Sequence, residues 1–123
     1  LNKKIYIYGN DWPTLDGTCV RDYIHIEDLA EGHIAALKSV FVKEKGFKIL
    51  NLGTGKGTSV LQLIKVFEHT NNVKITYEFF SKRDGDCPIL VADNSSALEN
   101  INWSPKRNIE DMCRDGFNWF LKR

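Results

Sequence analysis

The sequence predicts an α/β fold, on three observations. Short apolar, β-prone runs alternate with stretches whose apolar residues recur at helical spacing. Glycine-rich and polar turns separate the two kinds of segment. A Ser-x-x-Gln signature at Ser59 and Gln62 marks a helix start directly after one such turn.

The elements follow in order. Ile5 to Tyr8 reads as a strand, and Asn10 to Gly17 supplies turn chemistry around Pro13 and Gly17. Val20 to Ile26 reads as extended again. Glu27 and Asp28 then place negative charge at a helix N-terminus, where the macrodipole favours it. Leu29, Ala30, Ile34, Leu37, Val40 and Phe41 continue at helical spacing. Phe47 to Leu52 reads as a compact buried strand running into Gly53, Gly55 and Gly57. The helix opened by Ser59 has Val60, Leu63, Ile64 and Phe67 on its apolar face. Ile75, Tyr77 and Phe79 alternate with Thr76 and Glu78, as in a strand with one wetter face. Ser81 to Pro88 reads as a polar loop. Asn94 or Ser95 caps a short helix ending near Asn100, and Asn108 caps the last helix, with a stripe of Ile109, Met112, Cys113, Gly116 and Phe120.

These elements do not add up to a doubly wound sheet of their own. They read as part of a sheet plus a cap of helices and short strands. The chain starts at Leu1 rather than at a methionine and shows no signal-peptide pattern, so a fragment is expected. The composition is 42% hydrophobic and 27% charged with a formal net charge of +1, which is ordinary for a soluble protein. No basic stripe points to nucleic acid, and no apolar run reaches membrane-spanning length. Cys19, Cys87 and Cys113 are odd in number and widely spaced, with no CxxC pair, so reduced thiols are expected rather than disulfides or a metal site.

Four groups of residues could carry chemistry. Gly53-Thr54-Gly55-Lys56-Gly57-Thr58-Ser59 leads from a predicted strand to a helix N-terminus, the arrangement that binds phosphate. However, Lys56 precedes Gly57 and Thr58 stands where a dinucleotide fingerprint needs glycine, so a structural turn is the better reading. Arg21 offers a rigid fork that fits phosphate oxygens, although Asp22 beside it could reduce it to a surface ion pair. In Lys82-Arg83-Asp84-Gly85-Asp86, Arg83 could hold a phosphate and Asp86 could accept two ribose hydroxyls; a solvated charged turn is the alternative. Tyr6-Ile7-Tyr8 could stack on a base at a strand end, or simply be core.

Read together, Tyr8-Gly9-Asn10-Asp11-Trp12-Pro13-Thr14, Asp16-Gly17-Thr18, the stretch VRDYIHIEDLAEGHIAAL, the stretch NLGTGKGTSV and the RDGD loop resemble UDP-glucose 4-epimerases of the extended short-chain dehydrogenase/reductase family. The match runs over essentially the whole chain, in the family's order and spacing. The resemblance implies the C-terminal part of an NAD(P)-binding Rossmann-type fold with its small substrate-binding α/β domain. It places a returning helix and strand of the Rossmann domain at about 28–52. It implies that Tyr6, Ile7 and Tyr8 line the uracil site, that Arg21 and Arg83 clamp the diphosphate, and that Asp86 holds the ribose. Asp84 and Gly85 complete the loop around the nucleotide. Leu90 falls where the family carries a gate facing the sugar 2-substituent; its other reading is a residue of the small domain's core.

The departures from the family bear on activity. Its catalytic tyrosine stands four residues before a lysine, but Tyr6, Tyr8, Tyr23 and Tyr77 are followed at that offset by Asn10, Trp12, Glu27 and Ser81. Its N-terminal Gly-rich NAD fingerprint is also absent. No catalytic residue, cofactor ligand or metal ligand is therefore expected here, and NAD is expected on the missing N-terminal part. The whole protein is expected to be a cytoplasmic, homodimeric isomerase of galactose metabolism. It would interconvert UDP-galactose and UDP-glucose by transient oxidation at C4, with this chain inactive alone. A sister nucleotide-sugar decarboxylase, dehydratase or 5-epimerase would share RDYIHIEDLA, and a non-catalytic UDP-binding remnant is a further alternative. The glycine and lysine order argues against a P-loop phosphohydrolase.

Overall fold

The structure, a computed structural model, describes residues 4–42 and 47–123. Its elements are β1 (Ile5–Tyr8), β2 (Val20–Arg21), α1 (Ile26–Val42), β3 (Thr58–Ser59), α2 (Val60–Asn71), β4 (Tyr77–Phe80), β5 (Ile89–Leu90), α3 (Ser95–Ile101) and α4 (Ile109–Leu121). β1 and β4 pair in parallel, Ile5 opposite Tyr77 through Tyr8 opposite Phe80. In the second sheet β2 is central, antiparallel to β3 and parallel to β5, with Arg21 opposite Leu90.

The helix boundaries follow local chemistry. Ser59 accepts from the Gln62 N–H at 3.1 Å while the Gln62 side chain accepts from the Ser59 N–H at 2.9 Å, the reciprocal cap that the sequence predicts. α2 stops where Asn72 turns left-handed, a conformation asparagine tolerates. Asn108 and Asp111 form the same reciprocal cap on α4. At α3 the cap differs from expectation. Asn94 is the N-cap residue, but its side chain instead donates to the Gly53 carbonyl at 2.9 Å, and Asp93 accepts from the Ser95 N–H at 3.0 Å.

α2 and α4 form the main helical contact. Ile64 and Cys113 are buried there, and Phe67 meets Phe117 edge-on at 5.5 Å. The predicted stripe on α4 is corrected in one place: Phe117 provides the aromatic contact, while Phe120 is 53% exposed.

α1 forms as its spacing predicts, and its apolar residues Ile34, Leu37, Val40 and Phe41 face outward. The face turned inward carries Asp28 and Gly32. A Cβ on Gly32 would stand 2.8 Å from Leu52 Cδ1 and 3.1 Å from the Trp103 ring, so glycine lets α1 approach both closely and a side chain here would make Leu52 shift. Asp28 is fully buried and accepts from the Lys106 N–H at 3.2 Å, the Arg107 N–H at 2.9 Å and the Arg107 guanidinium at 2.6 Å.

Two predicted strands are not found at their predicted extent. Phe47 to Leu52 carries no strand pairing, and Phe47 and Ile49 are 89% and 83% exposed, because no partner strand lies beside them among the described residues. The extended run from Val20 pairs only over Val20–Arg21. Beyond it, Asp22 turns to other partners and His25 accepts from the Glu27 N–H at 3.1 Å at the start of α1. The wetter face expected for β4 also extends to all four of its residues, which are exposed.

Candidate nucleotide-binding site

Alternation along β1 sends Tyr6 and Tyr8 to one face and Ile7 to the other, where it is only 2% exposed. The N–H groups of Ile5 and Gly9 donate to β4 and its flank, at 2.9 Å to Thr76 and 2.8 Å to Phe80. The period of two puts the Ile7 backbone on that same side, leaving the Tyr6 and Tyr8 backbone toward the unpaired edge. Ile7 therefore supports the site from the core. The Tyr6 ring packs edge-on against Phe80 at 4.6 Å.

β4 delivers the chain into the loop at 81–88, directly beside Tyr8. The Arg83 guanidinium lies over the Tyr8 ring, 4.5 Å from its centroid. Its Nε donates to Asp86 Oδ2 at 2.9 Å and its Nη2 to Oδ1 at 3.4 Å. That hydrogen bond and the carboxylate's charge push Arg83 further toward its charged form. Gly85 takes a positive φ of 84°, which lets the turn bring Asp86 back to Arg83. Asp84 is exposed on the same turn.

The third contribution comes from β2. Arg21 Nη2 lies 3.9 Å from Asp86 Oδ1, and its Nη1 donates to the Val20 carbonyl at 2.8 Å. Tyr8, Arg21, Arg83 and Asp86, which span 79 positions of sequence (8 to 86), thus form one cluster. The suggested Arg21–Asp22 surface pair is corrected: Asp22 faces the glycine turn, where the N–H groups of Thr54 and Gly55 donate to it at 2.9 Å each. Leu90 stands beside Arg21 across the sheet and is 63% exposed, so its reading as a core residue is corrected too.

Two residues of this neighbourhood were not singled out from the sequence. The Trp12 indole donates to the Tyr8 carbonyl at 3.1 Å, and the Lys82 ammonium sits 4.6 Å from the Trp12 ring centroid and 3.0 Å from Asp11 Oδ1. Lys82 thereby ties the 81–88 loop to the turn after β1. The only sequence signal for it was its place next to Arg83.

Chemically, two guanidiniums beside an aromatic face suit a polyanion attached to a flat ring, and a carboxylate between them can accept from hydroxyls. Burial pushes the Tyr23 phenol up, against the opposing pull of Arg21, the reverse of what a tyrosinate base requires. Among the described residues no group of three or more His, Cys, Asp or Glu could hold a metal ion, and no helix is long and apolar enough to cross a membrane. The glycine turn does not fit a dinucleotide pyrophosphate, because its N–H groups already bond to Asp22 and a carboxylate there repels phosphate.

The family model described as GDP-mannose 4,6 dehydratase matches residues 1–116. UDP-glucose 4-epimerase 4 of Oryza sativa subsp. japonica is 50% identical over 119 residues, 97% of this chain and 32% of that protein. UDP-glucose 4-epimerase GEPI48 of Cyamopsis tetragonoloba is 47% identical over 116 residues, 94% of this chain and 33% of that protein. A UDP-glucose 4-epimerase structure from Bifidobacterium longum, in complex with NAD+ and UDP, superposes with a TM-score of 0.92 at 40% identity, covering 98% of this chain and 36% of that one. One from Stenotrophomonas maltophila, with bound NAD and formylated UDP-arabinopyranose, gives 0.92 at 42% identity, covering 97% of this chain and 35% of that one. The chain thus spans about a third of the length of the proteins it resembles. With a match over 116 of its 123 residues, the chain belongs to the family described as GDP-mannose 4,6 dehydratase; its fold is that of the C-terminal portion of extended short-chain dehydrogenase/reductase epimerases, and the relatives it resembles are UDP-glucose 4-epimerases.

Proposed function

We propose that this chain is the UDP-gripping part of a UDP-glucose 4-epimerase, serving the interconversion of UDP-glucose and UDP-galactose in galactose metabolism. The observation that carries the reading is the convergence of Tyr8, Arg21, Arg83 and Asp86 from three separate segments. Arg21 and Arg83 clamp the diphosphate with two forks of donors. The Tyr8 ring flanks the uracil, the backbone beside Tyr6 and Tyr8 reads its edge with Ile7 holding the strand in the core, and Asp86 accepts from the ribose hydroxyls. Asp84 and Gly85 shape the loop, and Leu90 faces the sugar.

Arg83 forks onto Asp86, and nucleotide binding exchanges that pair for a diphosphate on Arg83 and a ribose on Asp86. Holding UDP firmly while leaving the hexose loose suits a reaction in which the sugar must present both faces. NAD, the cofactor named for the relatives, belongs to a part outside this chain, since the glycine turn here is filled by Asp22.

The outward apolar face of α1 and the unpaired segment at 47–52 support a docking role. In this reading they are the helix and the extended segment, expected at about 28–52, that return to a cofactor-binding Rossmann domain. The whole enzyme acts as a cytoplasmic homodimer. Calorimetry with UDP on the full-length polypeptide carrying this segment tests the reading. Arg83→Ala should weaken binding measurably, because a charge-assisted contact to the diphosphate is lost. Arg83→Lys should restore part of it, because a point charge replaces a fork. Equal affinity in wild type and Arg83→Ala would make the loop a surface turn.

A further inference from the structure

The Asp22 carboxylate holds an unusual position for a residue next to a ligand-facing arginine. Oδ1 accepts from the Thr54 N–H at 2.9 Å and from the Thr54 hydroxyl. Oδ2 accepts from the Thr54 N–H at 3.0 Å, the Gly55 N–H at 2.9 Å and the Ala92 N–H at 3.3 Å. One side chain therefore satisfies three backbone donors in two segments distant in sequence. Gly53 is glycine for the same reason: a Cβ there would stand 2.7 Å from Asp22 Oδ2 and 2.5 Å from the Ala92 Cβ. The turn that could have cradled a phosphate closes instead around an anion built into the chain.

The consequence falls on Arg21. The sheet that positions it pairs over only two residues on each side, Val20 and Arg21 against Ile89 and Leu90, and against Ser59 and Thr58. At the ladder ends before Arg21, the Val20 N–H donates to the Pro88 carbonyl and the Val60 N–H to the Cys19 carbonyl. Ladders this short fix register and direction weakly. Asp22 continues the tie past the end of β2, to Ala92 just beyond β5 and to the glycine turn preceding β3. The guanidinium one residue back must meet Asp86 from β2, with 3.9 Å between them.

We propose that Asp22 is a positioning residue: by locking the end of β2 to the glycine turn and to Ala92, it fixes where Arg21 presents its guanidinium to the diphosphate. This rests on the proposed UDP-holding role of Arg21. Asp22→Asn keeps the shape but turns an amide N–H2 toward backbone donors, so the lock opens while Arg21 remains.

The test is a double-mutant cycle in the full-length polypeptide, with UDP affinity measured by calorimetry for wild type, Asp22→Asn, Arg21→Ala and both together. Asp22→Asn should weaken UDP about tenfold when Arg21 is present and less than about twofold in the Arg21→Ala background. The thermal midpoint should fall alike in both backgrounds, since the lost fold contacts are the same. An equal loss of affinity in the two backgrounds, or none in either, overturns the proposal and leaves the UDP site standing. No effect of Arg21→Ala itself overturns the proposal together with the reading it rests on. If Asp22→Asn does not fold, Thr54→Val, which removes the hydroxyl bond to Asp22 together with the hydroxyl's two bonds to the Lys56 backbone inside the turn, enters the same cycle, where equal loss in both backgrounds is again the refuting result.

Discussion

Replacing Asp28 with asparagine should cost about 2–3 kcal/mol of folding stability, a figure that follows from which bonds an amide can keep. In the native protein Oδ2 accepts the Lys106 and Arg107 N–H groups, and Oδ1 accepts the Arg107 guanidinium. Asparagine has one acceptor oxygen. Its least costly arrangement keeps the two backbone donors satisfied and turns the N–H2 toward Arg107, so one charge-assisted bond worth about 1.5–3 kcal/mol is lost. The guanidinium is not orphaned, because Glu27 and Glu31 also pair with it, which keeps the cost below that of a stranded buried charge. Burial alone would raise the Asp28 carboxyl, but bonds from the Arg107 and Lys106 backbone and the Arg107 side chain outweigh it and hold the group below its ordinary value. The unfolded chain then binds more protons than the native one between the two values, so this contribution is complete above the ordinary carboxylate range. It fades as pH falls through the lowered native value. Urea unfolding of the full-length polypeptide, followed by buried Trp103 whose indole donates to the Asp28 carbonyl at 3.1 Å, reads both effects, with Trp12 and Trp119 replaced by Phe. Asp28→Asn should lower the midpoint at neutral pH and flatten the acid limb relative to wild type. A change below about 0.5 kcal/mol, the range of ordinary surface substitutions, with an unchanged acid slope would refute the assignment.

The isolated 123-residue chain should neither turn over UDP-galactose nor bind NAD, because no tyrosine here has lysine four residues on and the Gly-rich NAD fingerprint is not in its sequence; spectrophotometric turnover and NAD calorimetry check this. It should also associate or melt broadly, since Leu37, Phe41, Phe47 and Ile49 are exposed together. Scattering and calorimetry that show a monomer with one sharp transition would contradict that view. Exposed Leu90 should pass plain hexoses readily and N-acetylated ones weakly, an apolar contact of this kind discriminating by only about 1–3 kcal/mol. Leu90→Cys and Leu90→Tyr should move the ratio of N-acetyl to plain turnover in opposite directions in the full-length enzyme, and an unmoved ratio would end the gate idea.

What the sequence made legible was whatever is decided locally. The Ser59–Gln62 cap, the strand at Ile5–Tyr8 and the turn character of Gly53–Gly57 depend on neighbours a few residues apart, and they appear as expected. The candidate residues Tyr8, Arg21, Arg83 and Asp86 were nameable by type, but type alone fitted a surface ion pair, a charged turn or a core ring as well, and it was the family resemblance that singled them out. Their meeting was not, since it depends on β1 pairing with β4 and β2 with β5. Burial has a different origin. Periodicity identifies an apolar stripe without saying what covers it. Phe47 to Leu52, read as a buried strand of a sheet whose other members are missing, stands exposed and unpaired here, and the stripe on α1 is exposed too. In the structure Gly32 and Asp28 do the inward packing, one by lacking a side chain and the other by collecting donors from Lys106 and Arg107. An exposed apolar helix face and an exposed, unpaired β-prone segment in one chain are then a single fact. Both fit the docking role proposed for this face, in which burial against a larger body covers them together.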